Sequence, residues 1–212
     1  SDLVVLNENT VSVSKNISQV VEFKTGGWSD RGYPNSLLGV IAVIRQTFLD
    51  AEWYQKSLDI IGKYPEENEP IPLNPSLYEL GDFQTKRRPI LFMTREEHGA
   101  LRSLKIADEF NLNPWLFGSG YEYRRMDEIS EQNPFIIFPL DFPAKPRVND
   151  PYIAMQYSTE QLKHWDMAPD NIKKVYDAGL RFSLTSGTLK NKKEFRKNLQ
   201  KIIDRGLPQD VA

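Results

Sequence analysis

The chain has 212 residues, 40% of them hydrophobic and 26% charged, with a formal net charge of −2 and a pI near 5.8. That is enough chain for one sizeable core, and the charge balance gives no electrostatic reason to expect nucleic acid or an acidic membrane as partner. No apolar run approaches the ~20 residues of a membrane helix, and the absence of cysteine excludes disulfides, thiolate nucleophiles and cysteine-ligated zinc.

Leu3, Val5, Val11 and Val13 alternate loosely around Asn7-Glu8-Asn9, which predicts a β-hairpin with a polar turn, and Val20-Val21-Phe23 forms a second apolar group. These residues, 1–25, read as a small N-terminal β segment ahead of one domain over 26–212. Ser36 is placed to cap a helix whose apolar residues, Leu37 through Leu49, nearly surround it, so the pattern predicts a helix buried within a larger body. Its continuation, Ala51 to Tyr64, carries Trp53, Tyr54, Leu58 and Ile61. The acidic, proline-rich segment Pro65 to Pro75 reads as a surface loop, and Leu77 to Leu80 as a short turn before Gly81.

Pro89 to Gly120 reads as strand, helix, strand. PILFMT and Trp115-Leu116-Phe117 are short apolar runs of the kind that fill a parallel sheet. Between them Leu101, Leu104, Ile106, Ala107 and Phe110 recur at helical spacing, with Thr94 as expected N-cap and Glu96 and Glu97 in the first turn. Tyr121 to Glu131 predicts a helix with Tyr123, Met126 and Ile129 inward. Phe135 to Phe138 predicts a third buried strand, ended by Pro139, and Asp141 to Tyr152 a proline-rich loop. Ser158 with Gln161 forms a capping-box pattern. A helix behind Pro169 ends at Gly179, Arg181 to Ser186 is a fourth strand, and an amphipathic helix from Lys193 to Asp204 closes at Gly206. Leu207 to Ala212 has the look of a further helix beginning, so the sequence reads as a portion of a longer protein. Strands alternating with helices argue a parallel-sheet α/β architecture.

The stretches PILFMTREEHGALRSLKIADEF, NLNPWLFGSGYEYRRMDEI, PFIIFPLDFP, LKHWDMAP and GLRFSLTSGTLKNKKEFRKNLQKIIDRGL resemble, in order and spacing, the later βα units of the amidohydrolase superfamily. The nearest branch by this resemblance is the imidazolonepropionase-like one, and Tyr33 to Tyr54 resembles the helical passage that precedes those units. The resemblance implies a partial TIM-like (β/α) barrel with parallel strands. It also implies hydrolysis of a cyclic amide or similar C–N bond by water activated on zinc or another divalent metal, held at the C-terminal ends of barrel strands. By that resemblance the fifth-strand histidine falls on Met93, the sixth-strand histidine near Gly118 to Gly120, and the eighth-strand aspartate on Gly187. The His-x-His pair of the first strand has no counterpart, since His98 and His164 stand far apart. The expectation is therefore a segment with no catalytic residue, metal ligand or cofactor of its own. The alternative is a catalytically inactive barrel that binds a small ligand or serves a structural role.

The remaining residues have competing readings. His98, in Glu96-Glu97-His98-Gly99, reads as a solvated or capping histidine, and His164 as a helix-face histidine hydrogen-bonded locally. Gly118-Ser119-Gly120 is either a backbone anion site or a plain strand-to-helix turn, and with no lysine following it the turn is favoured. Asp141 follows a strand and is either a barrel-mouth carboxylate or a loop one. Ser186 lacks a nucleophile elbow, and the run Lys190 to Lys197 reads as a solvated helix face. The candidate ligand-binding residues are Thr94, Gly118, Ser119, Asp141 and Ser186, with a small molecule as ligand. No nucleic-acid or membrane partner is expected. An open sheet edge argues for self-association or packing with the rest of a longer parent chain. A flavodoxin-like binding domain shares the βα alternation and leaves Tyr33 to Tyr54 unexplained.

Overall fold

The protein is described here by a computed structural model, over residues 3–5, 11–14, 17–26 and 32–212. Five strands form a parallel sheet in the order β3-β4-β5-β6-β7 that is not closed into a barrel. The helices follow the strands in βα alternation, which is the partial (β/α) architecture that the sequence predicts. The chain divides into two compact units, Ser1–Met93 with Lys105–Pro114, and Thr94–Leu104 with Trp115–Ala212.

In the first unit β1 (Leu3–Val5) and β2 (Val11–Ser14) pair antiparallel, with Val5 opposite Val11. The expected turn at Asn7-Glu8-Asn9 lies outside the described residues. β3 (Gln19–Glu22) falls within the expected N-terminal segment and pairs parallel with β4 (Pro89–Met93), Val21 opposite Phe92. Ile90 and Phe92 are fully buried while the alternate residues of β4 are half-buried, so one face of the strand is closed and the other partly covered.

The helix α1 (Leu37–Lys63) is a single 27-residue element capped by Ser36, whose hydroxyl accepts from Gly39 N at 3.2 Å. Contrary to the burial that its composition predicts, it is not covered all round. Only Gly39, Val40, Phe48, Ala51 and Tyr54 are covered, and Leu38, Leu49, Trp53 and Ile60 face solvent. The second helix, α2 (Pro75–Thr85), replaces the expected short turn. Asn74 caps it through Leu77 N, Pro75 sits at the position where a missing N–H costs nothing, and Gly81 is interior rather than a terminator. A Cβ on Gly81 would come within 2.3 Å of Gln55 Cγ, so the glycine lets α2 lie against α1. Gln55 then donates to Tyr78 O across the same contact, at 3.0 Å. Phe110 stacks in a tilted pair on Phe48, and Arg45 pairs with Glu109 at 2.7 Å.

In the second unit the part of β5 (Asn113–Phe117) from Trp115 onward runs parallel with β6 (Phe135–Pro139), and β6 with β7 (Phe182–Thr185), with Leu116 opposite Ile136 and Ile137 opposite Ser183. The helix α3 (Glu97–Glu109) begins three residues after Thr94. Thr94 is not its N-cap, because the hydroxyl donates to Phe117 O at 2.6 Å instead. The expected helix from Tyr121 to Glu131 is broken into a 3-10 turn (Glu122–Arg124) and α4 (Met126–Ser130), with Arg125 in a non-helical conformation between them. The fully buried residues of this passage are Glu122 and Ile129. Within the proline-rich loop a single turn, α5 (Pro151–Ala154), is capped by Asp150. The capping box of Ser158 and Gln161 opens α6 (Thr159–Met167), with both reciprocal bonds made. Gly179 and Gly206 take φ values of +74 and +102 behind α7 (Asp170–Asp177) and α8 (Glu194–Asp204), as C-terminal glycines do.

Candidate functional site at the ends of β5 and β6

The strand β5 runs into Gly118-Ser119-Gly120 with no room to spare. A Cβ on Gly118 would lie 2.5 Å from Phe138 Cδ1, so glycine is required for the strand to pass the ring on β6. Gly120, at φ +84, then turns the chain so that Glu122 folds back over the turn it has just left. The side chain of Glu122 has no solvent exposure. One carboxylate oxygen accepts from Ser119 N at 2.6 Å and Ser119 Oγ at 2.9 Å, and the other from Gly120 N at 3.0 Å and Asn171 Nδ2 at 2.7 Å. Asn171, on α7, closes the cluster by accepting from Tyr123 N at 2.7 Å. The backbone N–H groups that could have served an external anion are thus occupied by a carboxylate of the same chain.

Beside this cluster stands a ring stack. Tyr121 lies on His164 with centroids 3.6 Å apart and planes 10° from parallel, and the Arg124 guanidinium sits 4.7 Å over Tyr121. Arg124 also donates to Glu160 at 2.7 Å, to Glu97 at 3.2 Å and to the Tyr123 hydroxyl at 3.4 Å. Its hydrogen bond to Tyr123 and its two carboxylate partners hold its pKa above the ordinary value against the desolvation that opposes them. For Glu97, desolvation pushes the pKa up, but its own backbone N–H and Arg124 outweigh it and the carboxyl stays below its usual value. Burial raises the Tyr121 phenol. His164 is 9% exposed, and its Nδ1 is buried with no hydrogen-bond partner, contrary to the local bond expected for it. Burial, and then the charge of Arg124, lower its pKa, so the ring stands uncharged near neutral pH.

A cavity of about 30 Å³ borders His164, Ser119, Asn171 and Asp141, room for a water-sized polar group. Of the five predicted ligand-binding residues, Ser119 and Asp141 border this cavity. Thr94 is spent on Phe117 O, Gly118 is packed under Phe138, and Ser186, half-buried, does not reach it. His98 is exposed on α3. On the other side of the stack an open groove of about 620 Å³ is lined by Tyr123, Arg124, Glu160, Lys163 and Lys174. Sequence reading missed Glu122 and Asn171. The first carries a legible signal, since Ser119-Gly-Tyr-Glu122 is a capping-box pattern, and Glu122 does reach back to Ser119 N. The second carries none.

The divalent metal that the family resemblance implies does not fit these residues. Met93 ends β4, every short contact of the Glu122 carboxylate is a hydrogen-bond donor, and Thr185 Oγ1 at the end of β7 accepts from Gly187 N at 3.1 Å. No group of three metal-ligating side chains converges among the described residues. An oxygen saturated by N–H donors has no lone pair left to offer a cation.

The architecture is that of part of a TIM-like (β/α) barrel. No protein-family model matches the sequence, and no curated protein matches it. Among solved structures, the chain is similar to the crystal structure of an amidohydrolase from Thermotoga maritima MSB8, with a TM-score of 0.70 at 16% identity. The match covers 94% of this chain and 49% of that one, so the chain spans about half the length of the structure it resembles. At this identity the likeness is one of fold.

Proposed function

We propose that the chain is the metal-free part of an amidohydrolase-type barrel of the imidazolonepropionase-like branch. In this reading the whole protein hydrolyses a C–N bond of a cyclic amide or similar substrate with a divalent metal and catalytic groups supplied by other parts of the protein. The observation that supports it is the fold similarity over nearly all of this chain and half of an amidohydrolase, combined with strand ends that carry Met93, Gly118 and Gly187 where metal ligands would stand. The test is elemental analysis of the purified chain after dialysis against zinc. The expected result is far less than one equivalent of retained metal, and a stoichiometric ion would overturn the assignment of these strand ends.

A second reading, a catalytically inactive barrel that holds a small ligand, is favoured by the groove beside Arg124. Its volume, about 620 Å³, lies within the range of small-molecule sites, and Lys163 and Lys174 offer charge to an anionic group. Saturable binding of a small dicarboxylate, lost in the Lys163→Ala/Lys174→Ala double variant, would favour it over the first reading. No described helix is long and apolar enough to cross a membrane.

A further inference from the structure

The helix α1 carries an apolar stripe on its outer side. Leu38 is 77% exposed, Leu49 50%, Trp53 60%, Ile60 50% and Tyr64, at the C-cap, 55%, and Ala42 is exposed between them. At 3.6 residues per turn all six fall within an arc of about 80°, opposite the buried face of Val40, Ala51 and Tyr54. The outer side of a surface helix is ordinarily polar, and an apolar row some 40 Å long, broken at the levels of Gln46 and Lys56, marks a covered surface.

The spacing says what covers it. The six residues are placed symmetrically about the level of Ala51, so that Leu38 mirrors Tyr64, Ala42 mirrors Ile60, and Leu49 mirrors Trp53. A row with that symmetry is complementary to itself when two copies run antiparallel across a two-fold axis, because each large side chain then meets its mirror residue and Ala42 leaves space for Ile60. Near the axis Glu52 is already neutralised by Lys56 at 3.7 Å, so it brings no unpaired negative charge against its own copy. The five large side chains offer on the order of 500 Å² per copy. A pair therefore buries about 1,000 Å² before the flanking Gln46, Lys56 and Ser57 contribute, which reaches the lower bound of a specific interface. We infer that the chain forms an antiparallel two-fold dimer through the outer face of α1. An interface at that lower bound belongs with weak, reversible associations.

Sedimentation equilibrium from sub-micromolar to hundreds of micromolar protein reads the association directly. The wild-type chain is expected to pass from monomer to dimer, and Trp53→Glu to raise the dissociation constant about 30-fold or more with an unchanged circular dichroism spectrum. Register has its own readout, because the chain has no cysteine. Ala42→Cys and Ile60→Cys variants should form a disulfide-linked dimer when mixed under oxidation and not when either is oxidised alone. A chain that stays monomeric, a dimer indifferent to Trp53→Glu, or cross-linking of either variant by itself would each overturn the inference. The first outcome would leave the stripe to a different chain segment or protein.

Discussion

The Glu122 cluster is the most constraining feature of the site, and Glu122→Gln probes it with almost no change in volume. The four donors are divided two to each carboxylate oxygen. A glutamine keeps one oxygen and turns an NH2 group toward two N–H donors, or toward one N–H and a hydroxyl, whichever way the amide is set. Rotation of Ser119 Oγ can relieve one clash. Asn171 cannot flip freely, because its oxygen is committed to Tyr123 N. Each bond to a charged acceptor contributes about 1.5–3 kcal/mol, and burial denies the stranded donors any water, so losing two of them costs roughly 3–5 kcal/mol. That is a fifth or more of the ~5–15 kcal/mol that holds a typical domain together. Urea denaturation followed by circular dichroism measures it as a lower midpoint at unchanged slope. Glu128→Gln is the control: Glu128 is exposed, paired only to Arg125 at 3.2 Å, and should shift stability by less than ~0.5 kcal/mol. If Glu122→Gln unfolds within about 1 kcal/mol of the wild type, the donors are being satisfied by water and the closed cluster is wrong.

Gly118→Ala should destabilise by about 1–3 kcal/mol, since the new methyl meets the Phe138 ring at 2.5 Å, and Phe138→Leu in the same chain should restore part of the loss in the same urea assay. For His164, the folded-state pKa lies below that of the unfolded chain, so the unfolded state takes up more protons as pH falls below about 6.5 and stability declines from there down to the folded-state value. Thermal melts from pH 7.5 to 5.5 should show that decline in the wild type and a shallower one in His164→Phe. Proton NMR of the two histidines, with His98→Gln to assign them, should place the His164 midpoint below the model-peptide value, and a midpoint at or above it would remove the burial argument.

The strands β4 to β7 were legible because each is a short apolar run bounded by glycine, proline or charge, whereas β3, QVVE, gave only a loose apolar group in the N-terminal segment and no sign that it joins the sheet. Phe135 to Pro139 and Phe182 to Thr185 fall within a residue of their expected bounds. The ends of α6 and α7 were legible for a different reason, since Ser158, Gln161 and Gly179 act on backbone groups within a few residues of themselves. What failed was inference about packing. The residues of α1 are apolar on nearly every side, and no periodicity can say which side is covered. Gly81 looked like a terminator because a glycine in a helix has two uses, an ending and a close approach, and only the position of Gln55 distinguishes them.

The site shows the same division more sharply. The pattern Ser119-x-x-Glu122 stood in the sequence, and half of it is made: Glu122 reaches back to Ser119 N, while Ser119 Oγ accepts from Tyr121 N rather than from Glu122 N. Its meaning depended on the fourth donor, Asn171 Nδ2, which comes from a helix 49 residues further along and turns an ordinary exposed cap into a buried one. That burial decides what the strand end can do. A glycine turn with free N–H groups is an invitation to an anion, and the same turn under a saturated carboxylate is closed to anions and to metals alike. The polar atom left over is His164 Nδ1, stacked against Tyr121 and bordering a cavity of water size. What the ends of β5 and β6 leave open is therefore a neutral imidazole on the small Asp141-lined cavity, while Glu122 fills the turn itself.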